Sequence, residues 1–372
     1  MTEATNEKKI PILDLGPEID ALWDELSAAV EGVMRSGQFI LGPEVAAFET
    51  EIAQYLGVKH AIGVSSGTDA LIIGLRALGI EEGDEVITTS FTFVATAEAV
   101  SLIGATPVFV DIDPVTFNID PNLIEAAITE KTKAIIPVHL FGHAADMDAI
   151  QSIADKHNLK ILEDVAQAVG GSYKDTKLGT IGEAGAYSFF PSKNLGAFGD
   201  AGLIATNDDE VAELSNMLRG HGSKERYRNV ILGYNGRLDA MQSAILRVKL
   251  PHLDAFNERR RQVAARYREL LGDADGVTLP TELEYTNHVY HQYTIRVSED
   301  RDGVNQRMTD AGISTMVYYP VPVHQLPVYE HMNVSLRVTE QVAEQVLSLP
   351  MGPSLTKSDQ IRIANTLRAA IH

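Results

Sequence analysis

Short apolar runs rich in β-branched residues alternate, through the first two-thirds of the chain, with stretches whose apolar positions recur at helical spacing. The runs are AIGVS (61–65), EVITT (85–89), TPVFVDI (106–112), KAIIPVHL (133–140), LKILED (159–164), GAYSFF (185–190) and GLIAT (202–206). Between them lie amphipathic segments such as TDALIIGLRALG and DMDAIQSIADKHN, which return an apolar residue to one face every three or four positions. Strand–helix alternation of this kind predicts an α/β fold on a mostly parallel sheet. From Leu238 the pattern changes to one long helical stretch, LDAMQSAILRVKLPHLDAFNERRRQVAARYRELL, in which Pro251 breaks or kinks the helix. A shorter mixed segment follows, with HVYHQYTIRV (288–297) and ISTMVYYPV (313–321) as strands and a helical end. The expected division is a large α/β domain with an N-terminal arm over residues 1–240 and a smaller α+β domain over 241–372. No repeat, low-complexity tract or Gly/Ser linker separates them, so they are expected to pack closely.

Composition narrows the class. The 372 residues are 45% hydrophobic and 22% charged, the makeup of a soluble enzyme-sized protein, and no apolar run is long enough to span a bilayer. The opening MTEATNEKKIPILDL mixes both charges and lacks a secretory apolar core, so a cytoplasmic location is expected. The absence of Cys excludes disulfides and zinc–thiolate sites. A formal charge of −20 sets the protein against sequence-independent binding to nucleic acid or anionic lipid. One segment departs from this background: RGHGSKERYRNVILGYNGR (219–237) holds four Arg and one Lys against a single acid, Glu225. It reads either as a solvated loop or as a docking site for a small anion such as phosphate.

Ligands of parallel α/β sheets gather at the carboxyl ends of the strands. After the first run comes SSGTDAL (65–71), a small-residue turn entering a helix; its free N–H groups would hold a phosphate, although such a turn is more often only a cap. LKILED ends on Asp164, with Gln167 one turn later, and a strand-end Asp is as often a helix cap as a functional group. GAYSFF supplies Ser188 and, five residues on, Lys193. A lysine after a buried strand is paired, snorkelling or chemically used, because burying its charge is costly. TSFTFVAT (89–96) adds Phe93, an aromatic near a strand end, for which core packing is the commoner role. Together, a phosphate cradle, a carboxylate, a stackable aromatic and a strand-end lysine are what pyridoxal 5′-phosphate (PLP) requires. The lysine amine forms the Schiff base, and the carboxylate keeps the pyridine nitrogen protonated.

The same motifs make the sequence resemble the DegT/DnrJ/EryC1/StrS family of sugar aminotransferases, of the aspartate-aminotransferase fold (fold type I). The resemblance runs from SGQFILGPEVAAFE (36–49) through GVSSGTDAL, TSFTFVAT, GATPVFVDID, PVHLFGHAADMD, EDVAQA, SFFPSKNLGAFGD and GYNGRLDAMQSAIL to YYPVPVHQLP (318–327). It implies that residues 1–240 form the PLP-binding domain. It makes Lys193 the Schiff-base lysine, Asp164 the pyridine-nitrogen partner and Gln167 a neighbour of the cofactor's ring hydroxyl. Gly67, Thr68 and Ser188 would bind the phosphate, and Phe93 would lie against the ring. In this family Asn235 of GYNGR reaches the phosphate of the neighbouring subunit of a homodimer, while Arg237 meets substrate, as would Tyr319 of YYPVPVHQLP.

Departures from the family pattern carry their own expectations. The turn GDAG replaces the usual GDGG, so Ala201 must adopt negative φ. Tyr318 stands where many relatives that aminate hexuronate sugars have His. Sugar dehydratases of the family carry His in place of the lysine, so Lys193 disfavours dehydration. A metal site at His139 and His143 is not expected, because Pro137 and Gly142 oppose the helix that their spacing would need. DIDPVTFNID (111–120) lacks the central Gly and terminal Glu of a calcium loop. The resemblance therefore implies an aminotransferase that moves nitrogen from L-glutamate to a UDP- or dTDP-linked keto sugar, in O-antigen or deoxyaminosugar biosynthesis. Gln167, where many 4-aminating relatives have His, and GYNGRLD lean toward a 3-keto sugar. A 4-keto sugar aminotransferase and a non-catalytic regulator of the same family are the alternatives.

Overall fold

The computed structural model describes residues 9–225 and 227–371. Its centre is a seven-stranded sheet of β1 (His60–Val64), β2 (Glu85–Thr89), β3 (Thr106–Val110), β4 (Thr132–Ile136), β5 (Lys160–Asp164), β6 (Ala184–Ser188) and β7 (Gly202–Thr206), in the order β1-β7-β6-β5-β4-β2-β3. Only β7 runs against the rest: it pairs antiparallel with both β1 and β6, whereas the other neighbours are parallel. Alternate residues of each strand enter different cores. Ile62, Val64, Val86, Leu162, Ala186 and Ile204 pack with the helix Gly67–Ala77, while Ile87, Ile135, Ile161, Tyr187 and Leu203 pack with Phe48, Ile52 and Leu246 on the opposite face. Both faces are thus covered, as a largely parallel sheet requires.

The single reversed strand positions the chemistry. Because Ser188 of β6 is paired with Gly202 of β7, the connection carrying Lys193 leaves and returns at the same end of the sheet. Val64 is also paired with Gly202, so the turn after β1 opens beside it. The closeness is steric: a Cβ on Gly202 would lie 2.3 Å from the Ser66 carbonyl oxygen, and one on Gly67 would lie 2.6 Å from Ser188 Cβ. Ala201 is not among the residues of positive φ, as expected for the GDAG turn.

A three-stranded antiparallel sheet, Val277–Thr278, Tyr293–Val297 and Val346–Leu349, packs with the helices Leu253–Leu271, Arg301–Asp310 and Lys357–Ile371 around Tyr267, Ile295, Leu347 and Ile363. The long helical stretch divides where Pro251 predicts, into Ala240–Lys249 and Leu253–Leu271 joined by one 3₁₀ turn. Two strand expectations need correction. HVYHQYTIRV forms a strand only over Tyr293–Val297; Tyr290 has a left-handed φ of 45°, and the carbonyls of Tyr290 and His291 accept from the buried Arg260 guanidinium at 3.2 and 3.3 Å. ISTMVYYPV forms no strand, only isolated bridges at Ile313 and Met316, because Pro320 and Pro322 have no N–H to donate and Tyr318 and Tyr319 turn to a cavity.

Candidate active site

Four strand ends converge on one cavity of about 670 Å³, whose walls include Gly67, Thr68, Phe93, Asp164, Gln167, Ser188, Lys193 and Tyr319. The turn after β1 enters the helix Gly67–Ala77 through Ser66, whose hydroxyl caps the Asp69 N–H at 3.1 Å. That leaves the first-turn N–H groups of Gly67 and Thr68 outside the helical ladder, next to Ser188. Phe93 also lines this cavity and is 60% exposed, so it is not the core residue that aromatic statistics favour.

Asp164 ends β5 and is buried. Its Oδ1 accepts the Ala166 N–H at 3.0 Å and its Oδ2 accepts the Thr96 hydroxyl at 2.9 Å. Burial pushes its carboxyl upward, while those two hydrogen bonds and the charge of Lys193 act in the opposite direction. Lys193 faces it from the β6–β7 connection, its N–H fixed to the Phe190 carbonyl at 2.8 Å. Burial lowers the amine to about 8, with Asp164 opposing that shift. Gln167 is clamped at both ends: its Oε1 accepts the Phe141 N–H and its Nε2 donates to the Tyr319 hydroxyl, each at 2.9 Å. Burial raises that phenol to about 12, so Tyr319 keeps its proton at neutral pH.

Asn235 and Arg237 are not brought to this cavity. They line a second one of about 430 Å³, with Ser65, Asp239 and Gln242, and meet the first only through Asp200, which walls both. An Arg237 N–H is bonded to the Asn235 side-chain oxygen. The cationic segment 219–237 is not a single cluster. Arg219 is buried against Glu49 and donates to the Gly63 carbonyl at 2.6 Å, and Lys224 pairs with Glu213 at 2.7 Å. Arg226 lies outside the described residues.

Sequence reasoning missed Thr92, Thr96 and His291, which also line the site. The spacing of the two threonines, one helical turn apart, is the only local signal for them. His291 is buried, and burial, reinforced by Lys193, keeps its imidazole well below the ordinary range. On the far face of β5 the neighbouring Glu163 is fully buried. Its carboxylate accepts the N–H groups of Gly179, Ile181 and Gly182 at 2.7, 2.7 and 2.8 Å, and the His139 ring at 3.0 Å. His139 Nδ1 accepts from the Ala145 N–H, at 3.1 Å, so the ring is the neutral Nε2–H tautomer. Among the described residues, no group of three or more His, Cys, Asp or Glu comes together as a metal site.

Comparison with known proteins gives a consistent picture. The profile of the DegT/DnrJ/EryC1/StrS aminotransferase family matches residues 21–368. A protein of Geobacillus stearothermophilus called "Pleiotropic regulatory protein" is 52% identical over 94% of this chain and 95% of its own length. The UDP-N-acetyl-3-dehydro-alpha-D-glucosamine 3-aminotransferase of Acidithiobacillus ferrooxidans is 46% identical over 99% and 100% of the two chains. Among solved structures, DesV of S. venezuelae in complex with a ketimine intermediate superimposes with a TM-score of 0.95 and 45% identity, covering 98% of this chain and 99% of that one. The Bacillus subtilis protein ntda, with the cofactor PMP bound, gives a TM-score of 0.91 and 36% identity over 98% and 85%.

Proposed function

Because the chain belongs to the DegT/DnrJ/EryC1/StrS aminotransferase family, we propose that it transfers the amino group of L-glutamate to the C3 ketone of a nucleotide-linked sugar, with Lys193 and Asp164 as its catalytic residues. The family is PLP-dependent, and the residues present fit that group. The Gly67–Thr68 turn and Ser188 form an anion cradle too close for any side chain at position 67. Phe93 offers an exposed ring face, and Asp164 keeps a buried carboxylate opposite an amine. When bound, PLP supplies an electron sink that allows a C–H bond beside nitrogen to break.

The protein's own part is proton handling and orientation. Lys193, with its amine lowered to about 8, has a neutral fraction at physiological pH large enough to take the Cα proton of the amino donor. It returns a proton to the sugar carbon that receives nitrogen. Asp164 holds a proton on the pyridine nitrogen by opposite charge. Gln167, fixed by Phe141 and Tyr319, would offer its remaining amide N–H to the cofactor's ring hydroxyl. Net, glutamate and the keto sugar become 2-oxoglutarate and the amino sugar. The C3 position is supported by relatives that aminate 3-keto sugars. Residues 1–240 would carry the cofactor and 241–372 close the cavity, in a cytoplasmic homodimer. Asn235 and Arg237, which line the neighbouring cavity rather than the one that holds Lys193, would complete the partner's site.

The observation that carries this reading is the meeting of Lys193, Asp164 and the Gly67–Ser188 cradle in one cavity. The experiment is a half-reaction: the purified protein is expected to be yellow and to lose its visible band on addition of glutamate, and Lys193→Ala is expected to abolish both the band and turnover. Normal turnover by that variant would reject the assignment. A regulator without turnover is the second reading, favoured by the name of the 52% identical relative; a yellow protein inert to glutamate would support it instead.

A further inference from the structure

We propose that Thr92 and Thr96 are positioning residues for Asp164, forming a chain of two buried hydroxyls with a fixed proton direction that holds the carboxylate ionised and sets its plane. Thr96 Oγ1 lies 2.9 Å from Asp164 Oδ2 and 2.7 Å from Thr92 Oγ1. Both threonines are buried, at 1% and 3% exposure. A hydroxyl has one proton to give, and an ionised carboxylate can only accept. The Thr96 proton therefore points at Asp164, so Thr96 Oγ1 must accept from Thr92. Thr92 Oγ1 in turn accepts the Phe93 N–H at 3.0 Å. The alternative acceptor for either hydroxyl, the Phe93 carbonyl, is 3.4 Å away, longer than both links of the chain. The order is then Phe93 N–H, Thr92 O–H, Thr96 O–H, carboxylate, each donor polarised by the one before it.

The second donor comes from a different element. Ala166, following β5, reaches Oδ1, so the two carboxylate oxygens are pinned from two directions and each retains one free lone pair. The charged and titratable groups facing Asp164 are Lys193 from the β6–β7 connection, His139 from the segment after β4, and Tyr319 from the C-terminal segment. Lys193 alternates between charged and neutral forms during proton transfer, whereas the hydroxyl chain and the Ala166 N–H are permanent. The chain thus supports the ionised form when the lysine's charge is absent. Its bearing on catalysis rests on Asp164 partnering the ring nitrogen; its effect on the carboxyl itself does not.

The test uses cofactor-free protein labelled with ¹³C at the aspartate carboxyl, the Asp164 signal being assigned by its loss in Asp164→Asn. Removing a donor to the charged form disfavours that form, so the midpoint moves up. For Thr96→Val the rise is expected to be about one pH unit or more, the effect of one hydrogen bond to a charged group. Thr96→Ser, which keeps the hydroxyl, is expected to titrate like the parent. Thr92→Val leaves the bond to Asp164 in place but removes its support, and is expected to give a smaller rise of the same sign. Coincidence of the Thr96→Val and parent curves overturns the proposal. If Thr96→Val does not fold, an unshifted Thr92→Val curve overturns it alone. Full activity of Asp164→Asn in the loaded enzyme would instead reject the ring-nitrogen role and leave the hydroxyl chain standing.

Discussion

Lys193 joins burial with a carboxylate neighbour, and the two set a measurable pH dependence. Burial lowers its pKa from 10.5 to about 8, and Asp164 limits the fall. At pH 7 a lysine titrating near 8 is roughly one-tenth neutral, while one titrating near 10.5 is neutral in only about three molecules in ten thousand. Moving from pH 7 to pH 9 therefore raises the neutral fraction about tenfold in this site, against about a hundredfold for an ordinary surface lysine. Only the neutral amine attacks a carbonyl. The assay treats cofactor-free protein with a small aldehyde that does not itself titrate, traps the adduct with borohydride and quantifies the Lys193 peptide by mass spectrometry. The initial rate is expected to rise about tenfold and level off above roughly pH 9. Asp164→Asn removes the negative charge that favours the ammonium form, so its curve is expected to shift to lower pH. A hundredfold rise with no plateau, or a shift of the Asp164→Asn curve to higher pH, would refute the reasoning.

Two further outcomes follow from the same site. Asp164→Asn is expected to keep bound cofactor, because its amide oxygen can accept the Ala166 N–H while its NH₂ donates to a reversed Thr96 hydroxyl; the rate should fall on the order of a hundredfold or more if the carboxylate supplies two or three pKa units of support at ~1.4 kcal/mol each, and steady-state kinetics at parental speed would reduce Asp164 to a turn cap. Mixing inactive Lys193→Ala and Arg237→Ala subunits is expected to restore roughly a quarter of all sites, since about half the dimers are hybrid and each hybrid carries one intact site; no recovery after verified subunit exchange would place Arg237 outside the partner's site.

Much of this was legible in the sequence because it is local. The strand runs, the Ser66–Gly67–Thr68 turn, and Asp164, Ser188 and Lys193 at strand ends follow from periodicity and from where α/β sheets bind ligands. What was hidden depends on partners far along the chain. The run 313–321 has the composition of a strand, yet its prolines and its two tyrosines serve a cavity wall. Arg219 looked like part of a cation cluster, but Glu49, distant in sequence, buries and pairs it. Thr96 closes the motif TSFTFVAT, but nothing local marks its hydroxyl or the His291 ring as part of the site, and only the fold brings them to Asp164 and Lys193.

Glu163 and Asp164 stand side by side on β5 with opposite surroundings: one carboxylate saturated by four donors that tie down the 179–182 turn and His139, the other left with capacity to spare. Adjacent codons thus fail in different ways. Loss of the Glu163 carboxylate is expected to strand several buried donors and to lower the amount of protein that accumulates, whereas Asp164→Asn, which can still pair with the Ala166 N–H and Thr96, is expected to keep abundance near that of the parent and, on the proposed role, to lose chemistry. A growth-based genetic screen would score the two alike. Pairing growth with a reporter of protein abundance would separate them, and applied across the whole gene it would sort scaffold from chemistry one codon at a time.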